Sequence, residues 1–190
     1  MVYNYSKIEP IFKYYLNNGF KHSLQEVADA VLITKKTLFN RYISKENLEF
    51  CLIDYWQKRS TARIAKRMEF SNNAVEKLMM FLFELQYCKN NESCFFQKTK
   101  EIFLEKFLQN SHHIKQLEEI FSMGIEEELF KFDSDPKVFA YFFLFNTFFL
   151  LLNDNLIYTE FISFLFEPIL TEKGHGVFKD IDIEQVFKTN

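Results

Sequence analysis

The chain has 190 residues, 48% of them apolar and 26% charged, with a formal net charge of −3; that balance belongs to a folded globular protein and excludes the disordered and low-complexity classes. Four glycines and three prolines are too few for the many tight turns of a sandwich or barrel of short strands, so a small number of long helices is expected. Three cysteines (Cys51, Cys88, Cys94), with no C-x-x-C pair, make neither a disulfide framework nor a metal site in a chain of this size.

Ile8, Ile11, Phe12, Tyr15 and Leu16 recur at helical spacing. Pro10 falls in the first turn, where a missing N–H is tolerated, and Asn18-Gly19 stops the helix. Ser23 to Glu26 reads as a capping box that starts a short second helix, with Leu24, Val27, Ala28 and Val31 inward. Thr34 caps a third, with Leu38 and Tyr42 inward, and Ser44 caps a fourth that runs toward Arg67. Asn72-Asn73 opens a fifth helix that ends near residues 89–91. Further helices are expected at about 94–109, 111–131, 136–152 and 157–172, with Gly174-His-Gly176 as a break. Residues 138–152 are the longest apolar stretch, interrupted by Asn146 and Thr147. A bilayer span wants about 20 apolar residues, so this is read as a buried helix. The first residues, MVYNYSKIEP, lack the apolar run of a signal peptide. A cytoplasmic protein with no membrane partner is expected.

Charge and aromatic content are divided along the chain. Residues 1–67 carry a formal charge of +6 and all four arginines, and residues 68–190 carry −9 and 21 of the 25 phenylalanines. A basic front beside an acidic, Phe-rich back suggests two tasks, one of them with an anionic polymer.

Residues 24–42 read as short helix, tight turn, short helix. The second helix turns Lys35, Lys36, Thr37, Asn40 and Arg41 outward while Leu38 and Tyr42 go inward. That is the pattern of a helix-turn-helix unit, whose second helix enters the major groove of double-stranded DNA. Arg pairs with guanine, Asn with adenine, and Thr meets a thymine methyl or a phosphate. Thr34 stands at the start of that helix, and Ser44 and Lys45 at the start of the next suit phosphate binding.

These residues also carry a resemblance. Ile8, Phe12, Asn18-Gly19-Phe20, Ser23-Leu24, Glu26-Val27-Ala28, Ile33 to Phe39, Tyr42 and Ser44 to Leu48 resemble, in order and spacing, the DNA-binding domain of the tetracycline-repressor (TetR/AcrR) family. The resemblance implies an all-α fold: a three-helix, helix-turn-helix domain over residues 1–50, joined by a long helix to a helical effector-binding and dimerisation domain over residues 51–190. It implies a dimeric, ligand-responsive transcriptional regulator, usually a repressor, with contacts to bases or nearby backbone from Lys35, Lys36, Thr37 and Arg41 and a phosphate contact from Lys45. Leu32 stands where the family usually has Gly, and Phe39 where it usually has Tyr. A left-handed Leu32 costs about 1–2 kcal/mol, and Phe39 has no phenolic oxygen for a phosphate. A protein of the same fold that binds a hydrophobic ligand or lipid without reading DNA is the alternative.

The resemblance places the dimer's four-helix bundle on the two Phe-rich helices, with Phe142, Phe149, Phe161, Phe164 and Leu165 as interface candidates. A cavity between about 78 and 152 is expected to hold the effector, with Met79, Phe83, Phe103, Phe107, Phe121 and Phe145 as apolar lining and Tyr87, Gln97, Tyr141 and Asn146 as polar groups. The back has no arginine for a carboxylate or phosphate clamp, so a neutral or cationic hydrophobic effector is expected. His112 and His113 are adjacent and point to different helix faces, which makes a poor metal pair. No phosphate-binding Gly loop, nucleophile elbow or HExxH run occurs, so no enzyme and no cofactor are expected.

Overall fold

The computed structural model describes residues 7–103, 111–151 and 158–182, without the side chains of 100–103 and 158–159. It is all-helical, with one isolated antiparallel bridge between Phe130 and Leu170 among the described residues.

Helices α1 (Glu9–Asn18), α2 (Leu24–Ala30) and α3 (Lys35–Tyr42) form the front. Pro10 lies in the first turn of α1, and Gly19, at φ 74°, closes it by donating to Tyr15 O. Ser23 and Glu26 make the expected capping box on α2. The front closes around Ile8, Ile11, Phe12, Tyr15, Val27, Ala28, Leu38 and Tyr42, all buried. Each comes from the inward stripe of its helix, so the 3.6-residue period decides which side chains meet.

Helix α4 (Lys45–Met68) is capped by Ser44 and runs unbroken through residue 50, so the expected division at 50/51 falls inside a helix. It packs against α5 (Ala74–Asn91), α6 (Ser93–Phe103) and α7 (His112–Glu126). Helix α8 (Pro136–Leu151) lies along α7 and leads to α9 (Tyr158–Phe166). No helix among the described residues is long and apolar enough to cross a membrane.

The C-terminal third departs from expectation. α7 stops at Glu126 rather than near 131, because Glu128 takes φ 59° and Leu129 and Phe130 donate to Gly124 O. α9 stops at Phe166, and a further helix, α10 (Glu172–Lys179), spans the Gly174-His-Gly176 segment expected as a break. Thr171 caps α10 by accepting from Gly174 N at 3.0 Å. A Cβ on Gly174 would lie 2.2 Å from Leu129 O, and one on Gly124 would lie 2.0 Å from the Phe130 ring. These glycines permit close approach; they do not end a helix.

Candidate nucleic-acid interface

The turn between α2 and α3 is a Schellman-type close. Leu32 N donates to Asp29 O at 3.2 Å and Ile33 N to Ala28 O at 3.0 Å, and Leu32 has φ 56°. This position normally falls to glycine, because a Cβ crowds the left-handed backbone. The Leu32 side chain is 92% exposed, so its packing returns little of that cost.

Thr34 starts α3 by accepting from Thr37 N at 3.1 Å, and the two hydroxyls lie 2.9 Å apart. Leu38 and Tyr42 anchor the helix inward, and Thr34, Lys35, Lys36, Thr37, Phe39 and Asn40 are exposed. Among the described residues, Lys35, Lys36 and Asn40 make no ion pair and no side-chain hydrogen bond. Arg41 is half-buried, on the edge of the helix beside Tyr42. Burial pushes the Tyr42 phenol up, and the nearby Arg41 charge opposes the rise.

α3 ends in a second strained residue. Ile43 has φ 67° and ψ −46°, and Ser44 N closes on Tyr42 O at 2.7 Å, a three-residue turn. Ser44 then caps α4 by accepting from Asn47 N at 3.1 Å. Lys45 is less available than expected: it is half-buried, with Nζ 3.6 Å from Glu49, which also meets Lys98 Nζ of α6 at 3.3 Å. Glu46 sits over the start of α4, held below the usual carboxylate range by its own backbone N–H and the Ser44 hydroxyl. Thr34, Lys35, Lys36, Thr37 and Asn40 are therefore exposed together around the start and outer side of α3, while Arg41, Ser44 and Lys45 are half-buried.

The arginines correct the charge argument. Arg59 donates to Glu9 of α1 at 3.0 Å. Arg63 bonds Glu84 and reaches Glu92 at 3.0 Å, and Arg67 meets Glu84 at 3.2 Å. Trp56 Nε1 donates to the same Glu92 at 2.6 Å. Three of the four arginines counted in the basic front neutralise carboxylates within the fold. Sequence reasoning missed this cluster because Glu84 and Glu92 lie more than 15 residues away and meet α4 only in the folded chain.

The effector candidates do not converge. Met79, Phe83 and Phe121 are buried core residues, Phe121 enclosed by Phe130, Phe132, Phe139 and Phe143. Arg67 lies 4.5 Å over the Phe83 ring and Arg63 lies 5.5 Å over Tyr87. Tyr141 is half-buried, and Phe145 is exposed on α8 rather than lining a cavity. Asn146 is half-buried and donates to Phe142 O of its own helix at 2.7 Å. Gln97 is exposed. The Phe103 side chain and Phe107 lie outside the described residues. An open groove of about 330 Å³ instead lies between α4, α5 and α7, lined by Ala65, Met68, Glu69, Lys77, Gln116, Glu119, Ile120 and Met123. No effector candidate lines it, because the three helices meet there only through tertiary packing.

Of the dimer candidates, Phe142, Phe149 and Phe164 are exposed at 66%, 62% and 65%. Phe161 and Leu165 are a correction: both are buried in the chain's own core, at 2% and 7% exposure, while Phe164 is exposed.

No family model matches this chain, and no curated protein does. Solved structures do. RolR without ligand matches with a TM-score of 0.70 at 9% identity, over 97% of this chain and 96% of that one. A TetR-family transcriptional regulator from Agrobacterium tumefaciens matches with a TM-score of 0.58 at 13% identity, over 87% and 98%. AibR, in complex with isovaleryl coenzyme A and operator DNA, matches with a TM-score of 0.58 at 20% identity, over 85% and 96%.

Proposed function

The fold is that of TetR-type regulators, and we propose that this chain is a sequence-specific DNA-binding transcriptional regulator: a homodimeric repressor released by a small ligand. One observation carries the reading. A capped helix, placed by a tight turn on a second helix, holds Lys35, Lys36, Thr37 and Asn40 outward, with the two lysines and the asparagine unpaired among the described residues. Cations left without carboxylates on a helix of major-groove size match an anionic duplex. The operator complex of the structurally similar AibR supports the same reading.

In this reading residues 1–50 carry the DNA contacts and 51–190 the effector and dimer contacts. The dimer forms through the exposed Phe142, Phe149 and Phe164. The effector is a neutral or cationic hydrophobe, since the arginines nearest the back are already engaged by Glu84 and Glu92. Its binding favours a conformation whose two recognition helices no longer match successive major grooves, and DNA affinity falls by its differential affinity for the two states.

The test is binding of the purified full chain to its own upstream region and to random duplexes across salt concentrations. Preferential binding that weakens steeply with salt, by counterion release, is the expected result. Equal affinity for random DNA would overturn the reading in favour of a ligand- or lipid-binding protein of this fold.

A further inference from the structure

The outward face of α3 contains an aromatic ring that nothing in the fold accounts for. Phe39 is 53% exposed, and among the described residues it makes no ring or cation contact. Successive residues turn by about 100° around a helix. Lys36 and Asn40 therefore share the line opposite the buried Leu38 and Tyr42, with Phe39 beside them and Thr37 across. Arg41 falls on the flank opposite Phe39 and, unlike Phe39, is half-buried, which leaves it less available to a base. The Thr37 hydroxyl is already engaged by Thr34, 2.9 Å away.

Phe39 has no polar atom for a phosphate, and holding a bare ring against the DNA backbone would strip water from charged oxygens without replacing it. The groove offers one apolar group, the C5-methyl of thymine, and apolar side chains pack on it. Asn40, the next residue, carries the amide geometry that matches adenine N6 and N7.

We propose that Phe39 is a specificity-determining residue that packs on a thymine methyl, next to an adenine read by Asn40, so that the preferred half-site contains A·T pairs under the centre of α3. This rests on the DNA-binding reading above.

The two can be tested in one experiment. The full-length protein is used to select preferred duplexes from a random-sequence pool. Each thymine of the selected site is then replaced by deoxyuracil, which removes the methyl and leaves pairing unchanged. At one thymine per half-site the replacement should weaken binding about four-fold, the size of one buried methyl group. Phe39→Ser should bind the site more weakly and lose the difference between thymine and deoxyuracil, whereas Phe39→Tyr should retain it. Melting followed by circular dichroism confirms that both variants fold. Tolerance of deoxyuracil at every position, or a methyl effect that persists in Phe39→Ser, would overturn the assignment while leaving DNA binding intact. Enrichment of no sequence at all would overturn the DNA reading and this assignment together.

Discussion

Phe12 of α1 stacks on Phe95 of α6, with ring centroids 4.5 Å apart and an interplanar angle of 24°. Phe20 meets the same ring edge-on at 5.1 Å, and Trp56 lies nearly parallel to it at 6.5 Å. Cys94, the residue before, places Sγ 3.4 Å from Tyr15 O. Phe95 is thus wholly buried between the front and α4. The front does not hang from α4 alone; it rests on α6.

That contact predicts coupled unfolding. Phe95→Ala removes a fully buried ring from three aromatic neighbours, and such truncations cost about 3–5 kcal/mol. Because the ring joins the two parts, cooperativity should suffer as well. The native chain should unfold in urea in one transition, by far-ultraviolet circular dichroism and by the fluorescence of its single tryptophan. In Phe95→Ala the two probes should separate. Coincident probes with an unchanged midpoint would show that α1 does not depend on α6.

Stability should also depend on pH through His113. This imidazole is fully buried, with Nε2 3.0 Å from Ser60 Oγ and no partner on Nδ1 among the described residues. Burial, helped by the neighbouring His112 and Arg63 charges, pushes its pKa down to about 3 from an ordinary 6.5. Between those values the unfolded chain binds a proton that the folded chain refuses. Stability is therefore fully present above the ordinary value and falls as pH drops toward 3, by at most about 1.4 kcal/mol per pH unit from this group. Urea midpoints at successive pH values between 7 and 4 should decline, and more shallowly in His113→Gln. An identical slope in the variant would assign the loss to other groups.

Leu32 offers a gain in stability. Relieving the left-handed strain returns about 1–2 kcal/mol, and the extra freedom of a glycine in the unfolded chain takes back about 0.4–1 kcal/mol. Since the side chain is almost fully exposed, little packing is lost. Leu32→Gly should therefore raise the urea midpoint by the equivalent of roughly 0.5–1 kcal/mol. A lower midpoint would mean that the Leu32 side chain supports the turn.

The front was legible in the sequence because its signals are local. Capping residues lie within four positions of the groups they cap, as at Ser23, Thr34 and Ser44. Leu32 stands where the family that the front resembles usually has glycine, and the structure gives it φ 56°. What depended on distant partners was not legible. Arg59, Arg63 and Arg67 read as free surface charge until Glu9, Glu84 and Glu92 were brought to them. The burial of Phe161 and Leu165 follows from how α9 sits on its neighbours: Phe161, Phe164 and Leu165 are all apolar, and only the folded chain separates the buried two from the exposed one.

The α8 face yields the dimer prediction. Val138, Phe142, Phe145 and Phe149 follow one another at steps of four, three and four residues, and all are exposed; Phe164 of α9 is exposed as well. That is the seam spacing of packed helices, and a contiguous apolar surface of this kind is costly to leave in water. A second copy of the chain would cover it. In the monomer Phe142 and Phe149 are mostly exposed to solvent, so a charge there should not harm the fold, whereas in a dimer it would be buried without a partner. Phe142→Glu combined with Phe149→Glu should therefore give a folded, soluble monomer with unchanged helical content, and operator affinity should fall steeply because each monomer meets a single half-site. Phe161→Glu should behave oppositely: its ring is inside the chain's own core, so that variant should fail to fold rather than merely dissociate. Sedimentation velocity separates the cases. A Phe142/Phe149 double variant that still sediments as a dimer would place the interface on another face.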